Sequence, residues 1–388
     1  MDSLALNKPR IQSLDLLRGL VMIIMALDHV RDFFHTDSFM IDPTDMSKTN
    51  VAFFATRWIT HYCAPVFVFL AGTSAFLMGQ KKTKKELSIF LLTRGLWLIL
   101  LELTIIGFGW SFELNFHFFA LQVIWVLGAG MIVLAGFIWL PFNAILIIGL
   151  LLIGGHNALD SFHVGGKSIS AFAWKLLHDP GVGKAGSVQF FVMYPILSWI
   201  GVMALGYCLG KLYTTDVDAA KRKKILTLLG LTAIVIFIAL RLSNIYGDEA
   251  HWSSQKNPAF TILSFLNTTK YPPSLLYLTM TLGPALLFLA FSEHITNRLS
   301  NIIKIFGRVP MFYYLCHLYL IHLGSLAMMY LQGFRPSDLN NKLPPGYGVN
   351  LGMTYAVWLA VIIILYPFCK WYDNYKSNHR GNKWLSYL

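Results

Sequence analysis

The first apolar stretch of the chain carries charged and titratable side chains at positions that could do chemistry. Residues 11–35 form a run long enough to cross a bilayer, and they include Asp15, Arg18, Asp28 and His29. A charge inside a membrane span costs roughly 2.5–3.5 kcal/mol, so it points to function by default. Arg18 and His29 are eleven residues apart, which returns a helix to nearly the same face. The spacing predicts one helix that presents a carboxylate, a guanidinium and an imidazole to a common interior. The alternative is that these groups lie at the two ends of the helix, where both ends are exposed to water.

Composition identifies an integral membrane protein. Of the 388 residues, 56% are hydrophobic and 13% are charged, whereas soluble domains carry about 25% charged residues. The net charge of +12 comes largely from short basic loops between apolar runs, which set topology, so a nucleic-acid partner is not expected. The four cysteines lie in or beside apolar runs without metal-binding spacing, and no phosphate-loop or HExxH motif occurs. We therefore expect a lipid bilayer as surroundings and no bound metal.

Ten apolar segments of bilayer length predict an all-α polytopic bundle that forms one domain over residues 1–388. A bilayer core requires about 20 apolar residues per helix. The predicted spans lie near 13–33, 58–79, 88–110, 117–140, 142–156, 188–212, 224–243, 273–293, 308–331 and 350–371. The basic loops at 81–85 and 221–224 place those loops in the cytoplasm, so both termini are expected there.

Histidines in two other spans are candidates for the same interior. His61 lies near the outer end of the second span, at a depth comparable to that of His29, in a segment that Arg57 opens. His317 lies mid-span in the ninth helix, and Tyr313, four residues earlier, shares its face. A histidine at mid-membrane needs a polar neighbour, so His317 is either a ligand-binding residue or a structural hydrogen bonder. His61 is either part of a site or an interfacial histidine beside an aromatic belt.

The outer face offers further candidate contacts. Lys270 stands at the entrance of the eighth span, where two prolines form a rigid turn into the helix. Exposed N–H groups at the helix start would help Lys270 to hold an anion or a sugar, although an interfacial lysine is equally typical there. Lys270, Arg57 and His35 are the predicted substrate-binding residues. Glu102 in the third span needs a partner inside the bilayer, either Arg94 or a hydroxyl group.

Several segments resemble known transmembrane acyltransferases. Residues 10–29, from Arg10 through SLDLLRG to His29, resemble the opening signature of the acyltransferase-3 family. Four segments in order resemble more closely a sister group, the bacterial relatives of heparan-α-glucosaminide N-acetyltransferase: SLDLLRG, APVFVFLAGTSAF, NTTKYPPSLLYLTMTLGPALL and GRVPMFYYLCHLYLIHL. The resemblance implies a multi-pass acetyltransferase of a bacterial inner membrane. Such an enzyme takes acetyl-CoA, as acyl donor, from the cytoplasm and acetylates an amine or hydroxyl of a sugar or glycan outside. A homodimer is implied by the same analogy.

The implied reaction requires a base and a group that stabilises an oxyanion. Histidine is the side chain whose ordinary pKa lies nearest neutrality. In the lysosomal relative the proposed catalytic histidine lies in the first outer loop beside a Trp-Asn pair. That loop lacks the pair here and offers His35, with His61 at its end, so the base stays open among His29, His61 and His35. Asp28, the sequence neighbour of His29, completes the predicted catalytic residues.

The other end of the first helix is assigned to the donor. Asp15 lies 14 residues, or about 21 Å, from His29 and cannot touch it. Arg18 and Asp15 would form the cytoplasmic end of a channel, where Arg18 meets the CoA phosphates or locks neighbouring helices; His317 and Tyr313 are also assigned to acetyl-CoA binding. The alternative function is a proton-coupled small-molecule transporter or exporter component, because ten spans with buried His and Asp also suit a carrier.

Overall fold

The apolar segments of the chain form helices in a computed structural model, which describes residues 11–37, 40–113, 117–335, 344–379, 381–382 and 385. Arg10 lies outside the described residues. The helices are α1 (Gln12–Phe34), α2 (Val51–Thr60), α3 (Cys63–Gly79), α4 (Lys84–Leu101), α5 (Gly107–Ser111), α6 (Val123–Phe137), α7 (Phe142–Gly155), α8 (Ile169–Leu177), α9 (Ile196–Leu209), α10 (Ala219–Ser243), α11 (Pro258–Leu266), α12 (Leu275–Ser292), α13 (Arg298–Arg308), α14 (Pro310–Leu331) and α15 (Leu351–Asn378). A π-helical turn, Glu102–Ile106, joins α4 to α5.

The predicted all-α polytopic membrane bundle is confirmed. Within the described part of the chain, eight helical stretches are long and apolar enough to cross a bilayer. The two other predicted spans correspond to α1, which carries charges along its length, and to α6, which has 15 residues. A helix therefore lies at each of the ten predicted positions.

Two predicted spans begin too early, because short strands precede their helices. The strands are β1 (Phe118–Leu121), β2 (Gly181–Ala185) and β3 (Val188–Val192). β3 pairs in parallel with β1 and antiparallel with β2, so the predicted spans 117–140 and 188–212 each start on a strand. Aromatic side chains favour strand structure here, and Pro195 disfavours helix at the residue before it. The sheet fixes the backbone at Tyr194, whose N–H donates to the Leu121 carbonyl at 3.2 Å.

Helix α1 lies at the centre of the bundle. It packs against α2, α3, α12, α13, α14 and α15. Its closest neighbour is α13, because a Cβ atom on Gly19 would lie 2.0 Å from the Ile303 carbonyl oxygen, and one on Gly307 would lie 1.9 Å from the Asp15 carbonyl oxygen. Small residues permit such close approach of membrane helices. The contact fixes the depth and rotation of α1, and with them the positions of its charged side chains.

Glu102 has partners that the sequence did not indicate. Its carboxylate accepts hydrogen bonds from the backbone N–H groups of Gln122 at 3.3 Å and Trp125 at 3.0 Å, where α6 begins. The expectation of Arg94 or a hydroxyl group as partner is therefore wrong. A carboxylate satisfies the unpaired N–H groups of a helix start and interacts favourably with its dipole. Glu102 thus couples the π-helical turn to the first residues of α6.

Candidate active site

Two adjoining cavities lie beside α1 in the bundle. The first, here called the His29 cavity, has a volume of about 440 Å³ and is lined by Asp28, His29, Arg31, Arg57, Lys270, Tyr271 and neighbouring side chains. The second, here called the Arg18 cavity, has a volume of about 340 Å³ and is lined by Arg18, Arg94, Lys376 and mostly apolar side chains. The two cavities share four lining residues, Met25, Phe67, Val123 and Tyr314. Arg18 and His29 lie about 17 Å apart along α1, so the cavities occupy successive halves of that helix.

His29 is paired with a second buried histidine. His317 Nδ1 lies 2.8 Å from the Tyr313 carbonyl oxygen, which can only accept, so this nitrogen carries a proton. In the neutral ring His317 Nε2 is then an acceptor, and His29 Nδ1, 2.8 Å away, must donate to it. The Nε2 atom of a neutral His29 is left with a lone pair. The hydrogen bonds therefore select the tautomer in which His29 can take a proton at Nε2.

Aromatic rings fix the orientation of the histidine pair. The rings of His29 and His317 are stacked, with centroids 4.9 Å apart and an interplanar angle of 12°. Trp110 from α5 contacts His29 edge-on at 4.9 Å, and Tyr314 from α14 does so at 6.0 Å. His29 is only 8% exposed and His317 is fully buried. The imidazole at the cavity wall is thus held by packing on several sides.

Asp28 belongs to an ion-pair network in the same cavity. Its two carboxylate oxygens accept from Arg57 at 2.6 Å and from the Thr60 hydroxyl at 2.9 Å. Arg31 lies 2.6 Å from Asp28 and 2.7 Å from Asp32. Burying charges is tolerated when they are paired and hydrogen-bonded in this way. Asp28 therefore positions Arg57, and through it the opposite wall of the cavity.

The opposite wall is the loop before α12. Asp248 secures this loop, accepting from the Thr269 backbone N–H at 2.9 Å and from the Ser274 hydroxyl at 2.6 Å. Lys270 is 8% exposed, and its ammonium lies 5.2 Å from the centre of the Tyr271 ring. The Arg57 guanidinium lies 3.5 Å from the Tyr271 hydroxyl. Burial acts to raise the pKa of Tyr271, but the charges of Lys270 and Arg57 outweigh it and hold the pKa below its usual value.

Arg18 both lines its cavity and links helices. Its guanidinium donates to Asp15 at 3.3 Å, to the Ser74 hydroxyl at 3.0 Å and to the Gly307 carbonyl at 3.3 Å. These partners lie on α1, α3 and α13, so the helix-locking interpretation of Arg18 agrees with its contacts. Arg308 lies 3.9 Å from the other oxygen of Asp15. Asp15 is thus buried between two guanidinium groups.

Two of the candidate histidines face other parts of the protein. His61 is 2% exposed; its carbonyl accepts from the Tyr277 hydroxyl at 2.7 Å and its ring lies 5.4 Å from that of Tyr277. His35 ends α1, stacks on Phe53 at 4.7 Å and accepts from the Asp37 N–H at 3.1 Å, and burial lowers its pKa. Within the described residues, His29 is the one of the three candidate histidines that lines the His29 cavity.

The remaining predicted residues divide between the walls and the interior. Asp28, Arg57 and Lys270 line the His29 cavity, and Arg18 lines the Arg18 cavity. Tyr313 is fully buried and lines neither cavity, whereas Tyr314 lines both. Sequence reasoning missed several uncharged lining residues, because it searched for titratable groups among many similar aromatics. These residues are Trp110, Gln122, Tyr194, Tyr271 and Tyr314.

The fold is that of a polytopic membrane protein, with a buried histidine pair beside one of two adjoining cavities. The family model for heparan-alpha-glucosaminide N-acetyltransferase, catalytic, matches residues 10–246, which is more than half of the chain. The chain therefore belongs to this family of membrane acetyltransferases, and the resemblance is confirmed. The matched region contains Arg18 and His29, whereas Lys270 and His317 lie beyond it. A comparison with curated proteins found no match.

Proposed function

We propose that this protein transfers an acetyl group from cytoplasmic acetyl-CoA to an amine or hydroxyl of a sugar or glycan on the other side of a bacterial cytoplasmic membrane. The observation that supports the proposal most strongly is the junction of the two cavities. The Arg18 cavity has basic groups among apolar walls, and the His29 cavity presents an oriented imidazole among polar groups. Donor and acceptor would enter from opposite ends and meet near His29.

The donor fits the chemistry of the Arg18 cavity. Guanidinium and ammonium groups bind phosphates, and Arg18, Arg94 and Lys376 would contact the nucleotide part of CoA. The apolar walls suit the thinner acyl-bearing arm, which would extend past Met25 and Tyr314 toward His29. Acetyl-CoA is a co-substrate in this scheme.

The reaction needs one base and one stabilised oxyanion. His29 Nε2 takes the proton from the attacking amine or hydroxyl as that atom forms a bond with the thioester carbonyl carbon. Lys270 and the Tyr271 hydroxyl stabilise the negative charge that develops on the carbonyl oxygen. The carbon–sulfur bond then breaks, and the CoA sulfur takes the proton from His29 as it leaves. His317 accepts from His29 Nδ1 throughout and stabilises the protonated ring.

The acceptor fits the His29 cavity. Sugars present several hydroxyl groups, and the charged network of Asp28, Arg57 and Lys270 offers both donors and acceptors to them. His35 lies behind Phe53 and would act on the acceptor only through that ring. Lys270 and Arg57 are therefore the proposed contacts to the acceptor.

Binding of acetyl-CoA to the purified protein in detergent, measured by calorimetry with free CoA as reference, tests the proposal. We expect saturable binding that Arg18→Ala weakens about 10-fold, because a hydrogen bond to a charged group contributes roughly 1.5–3 kcal/mol. Arg298→Ala is the matched control, since Arg298 is exposed at the start of α13. A folded wild-type protein that binds neither nucleotide would contradict the proposal. Passage of a sugar through proteoliposomes without any acyl donor would favour the transporter alternative.

A further inference from the structure

A second cluster of side chains, of types that bind metal ions, lies where α7 and α8 end. His156 directly follows α7, Asp160 is four residues further on, and His178 ends α8. One ligand atom from each of the three lies within 4.8 Å of the others. His178 Nε2 is 3.1 Å from an Asp160 carboxylate oxygen. In a tetrahedral site with metal–ligand bonds of about 2.0–2.1 Å, two ligand atoms lie about 3.3 Å apart, so this pair has the required separation.

The histidines of this cluster are buried and incompletely hydrogen-bonded. His156 is 2% exposed and His178 is 3% exposed. Within the described part of the chain, His178 Nδ1 has no hydrogen-bond partner, and only one of the two ring nitrogens of His156 has an acceptor nearby, the Pro273 carbonyl. Buried polar groups are nearly always satisfied, so two neighbouring buried imidazoles that each keep a nitrogen without a partner point to a ligand. Imidazole nitrogen and carboxylate oxygen together are ligands that Zn²⁺ accepts.

Asn157 supports the cluster from behind. Its amide nitrogen donates to the second Asp160 oxygen at 2.7 Å, which orients the carboxylate toward His178. Its amide oxygen accepts from the backbone N–H of Leu275 at 2.9 Å, at the first residue of α12. Such outer contacts orient metal ligands and are part of a metal site. They also connect the cluster to the loop that carries Lys270.

We propose that His156, Asp160 and His178 bind a divalent zinc-class cation, with water at the fourth position. The ion joins the ends of α7 and α8 and, through Asn157, fixes the start of α12. Its role is structural, because the three ligands are not among the described residues that line the His29 cavity. The sequence predicted no metal, because the spacing of His156 and Asp160 does not by itself reveal His178.

The test uses the whole protein in detergent, stripped with a chelator and titrated with Zn²⁺ and, as a spectroscopic probe, with Co²⁺. We expect one equivalent of either ion to bind, visible absorption typical of tetrahedral Co²⁺, and a higher unfolding temperature with Zn²⁺. His156→Ala and His178→Ala should lose the Co²⁺ spectrum. Asn157→Ala should weaken binding about 10–100-fold, as loss of an outer contact typically does.

His163→Ala is the matched control, because His163 is an exposed histidine of the same segment and pairs with Asp179. It should bind metal like the wild type. The proposal is overturned if the wild-type protein shows no saturable binding, or if folded His156→Ala binds as tightly as the wild type. Where the alanine variants fail to fold, Asp160→Asn decides: a Zn²⁺-induced rise in unfolding temperature equal to that of the wild type contradicts the site.

Discussion

The His29 cavity and the Arg18 cavity adjoin along one helix but organise charge differently. In the His29 cavity, positive and negative groups bind one another, as Asp28 does with Arg31 and Arg57. In the Arg18 cavity, the cationic groups of Arg18, Arg94 and Lys376 stand among mostly apolar lining residues. A preorganised polar network suits the stabilisation of developing charge. Cationic groups beside apolar walls suit the binding of an anionic molecule with a long neutral arm.

This comparison separates residues that should affect the chemical step from residues that should affect donor binding. The largest effect is expected from His29→Ala. Loss of a positioned base typically lowers rates by about 10²–10⁴-fold, so acetyl transfer should fall by that factor while acetyl-CoA binding persists. Transfer is measured as CoA thiol released in the presence of an amino sugar. His294→Ala, at an exposed histidine, is the control. Full activity of a folded His29→Ala protein would contradict the assignment of His29 to the chemical step.

His317 should act as a positioning residue. His317→Phe removes the acceptor for His29 Nδ1 but keeps an aromatic ring against Tyr313 and Tyr314. Loss of a buried hydrogen bond costs about 1–3 kcal/mol, so we expect kcat to fall about 10–100-fold with an unchanged Kd for acetyl-CoA. His317→Gln, which can still accept through its amide oxygen, should recover part of the rate. Equal rates for the two variants would assign His317 to packing alone.

Lys270 should affect the acceptor rather than the donor. We expect Lys270→Ala to raise the KM for the sugar about 10-fold and to lower kcat about 10-fold, because a charged hydrogen bond is lost both to the acceptor and to the oxyanion. Binding of acetyl-CoA, measured by calorimetry, should not change. Lys256→Ala, at an exposed lysine just before the start of α11, is the control. Weaker acetyl-CoA binding by Lys270→Ala would show that Lys270 contacts the donor, and would contradict the assignment of the His29 cavity to the acceptor.

Tyr271 should give the smallest effect at neutral pH and a distinct one at alkaline pH. The Tyr271 hydroxyl must be protonated to donate to an oxyanion, and the charges of Lys270 and Arg57 hold its pKa below the usual value near 10. Transfer should therefore decline as the pH rises through this lowered pKa, beginning below pH 10. Tyr271→Phe should lower the rate only a few-fold at neutral pH and remove the alkaline decline, as a pH–rate profile would record. If the pH–rate profile of Tyr271→Phe matched that of the wild type, Tyr271 would be excluded as a hydrogen-bond donor to the oxyanion.

The helices were predictable, and their partners across the bundle were not. Apolar length alone located the ten helix positions, because a bilayer demands it. The spacing of Arg18 and His29 predicted that both side chains face one interior, because helical periodicity is local, and in the structure the two residues line the two cavities beside α1. The hydrogen bond between His29 and His317 joins residues 288 positions apart, and no local pattern reports such a contact. The same limit explains the unexpected partners of Glu102.

Strands and loops account for most of the remaining differences. Residues 118–121 and 188–192 are apolar enough to extend a predicted span, yet they pair as strands and place Tyr194 in the cavity wall. The loop that carries Lys270 depends on Asp248, which the sequence does not distinguish from any other loop carboxylate. The cluster of His156, Asp160 and His178 likewise depends on how two helix ends meet. Such tertiary contacts decide the site more than local propensity does.

The central claim is that a donor in the Arg18 cavity delivers its acetyl group to an acceptor in the His29 cavity. Its most direct test is a proteoliposome assay with acetyl-CoA on one side of the membrane and glucosamine on the other. The account predicts acetylated glucosamine on the side opposite the donor, equimolar release of CoA, and loss of both in His29→Ala. Labelled glucosamine that crosses the membrane without acetyl-CoA, or CoA release that His29→Ala leaves unchanged, would contradict it.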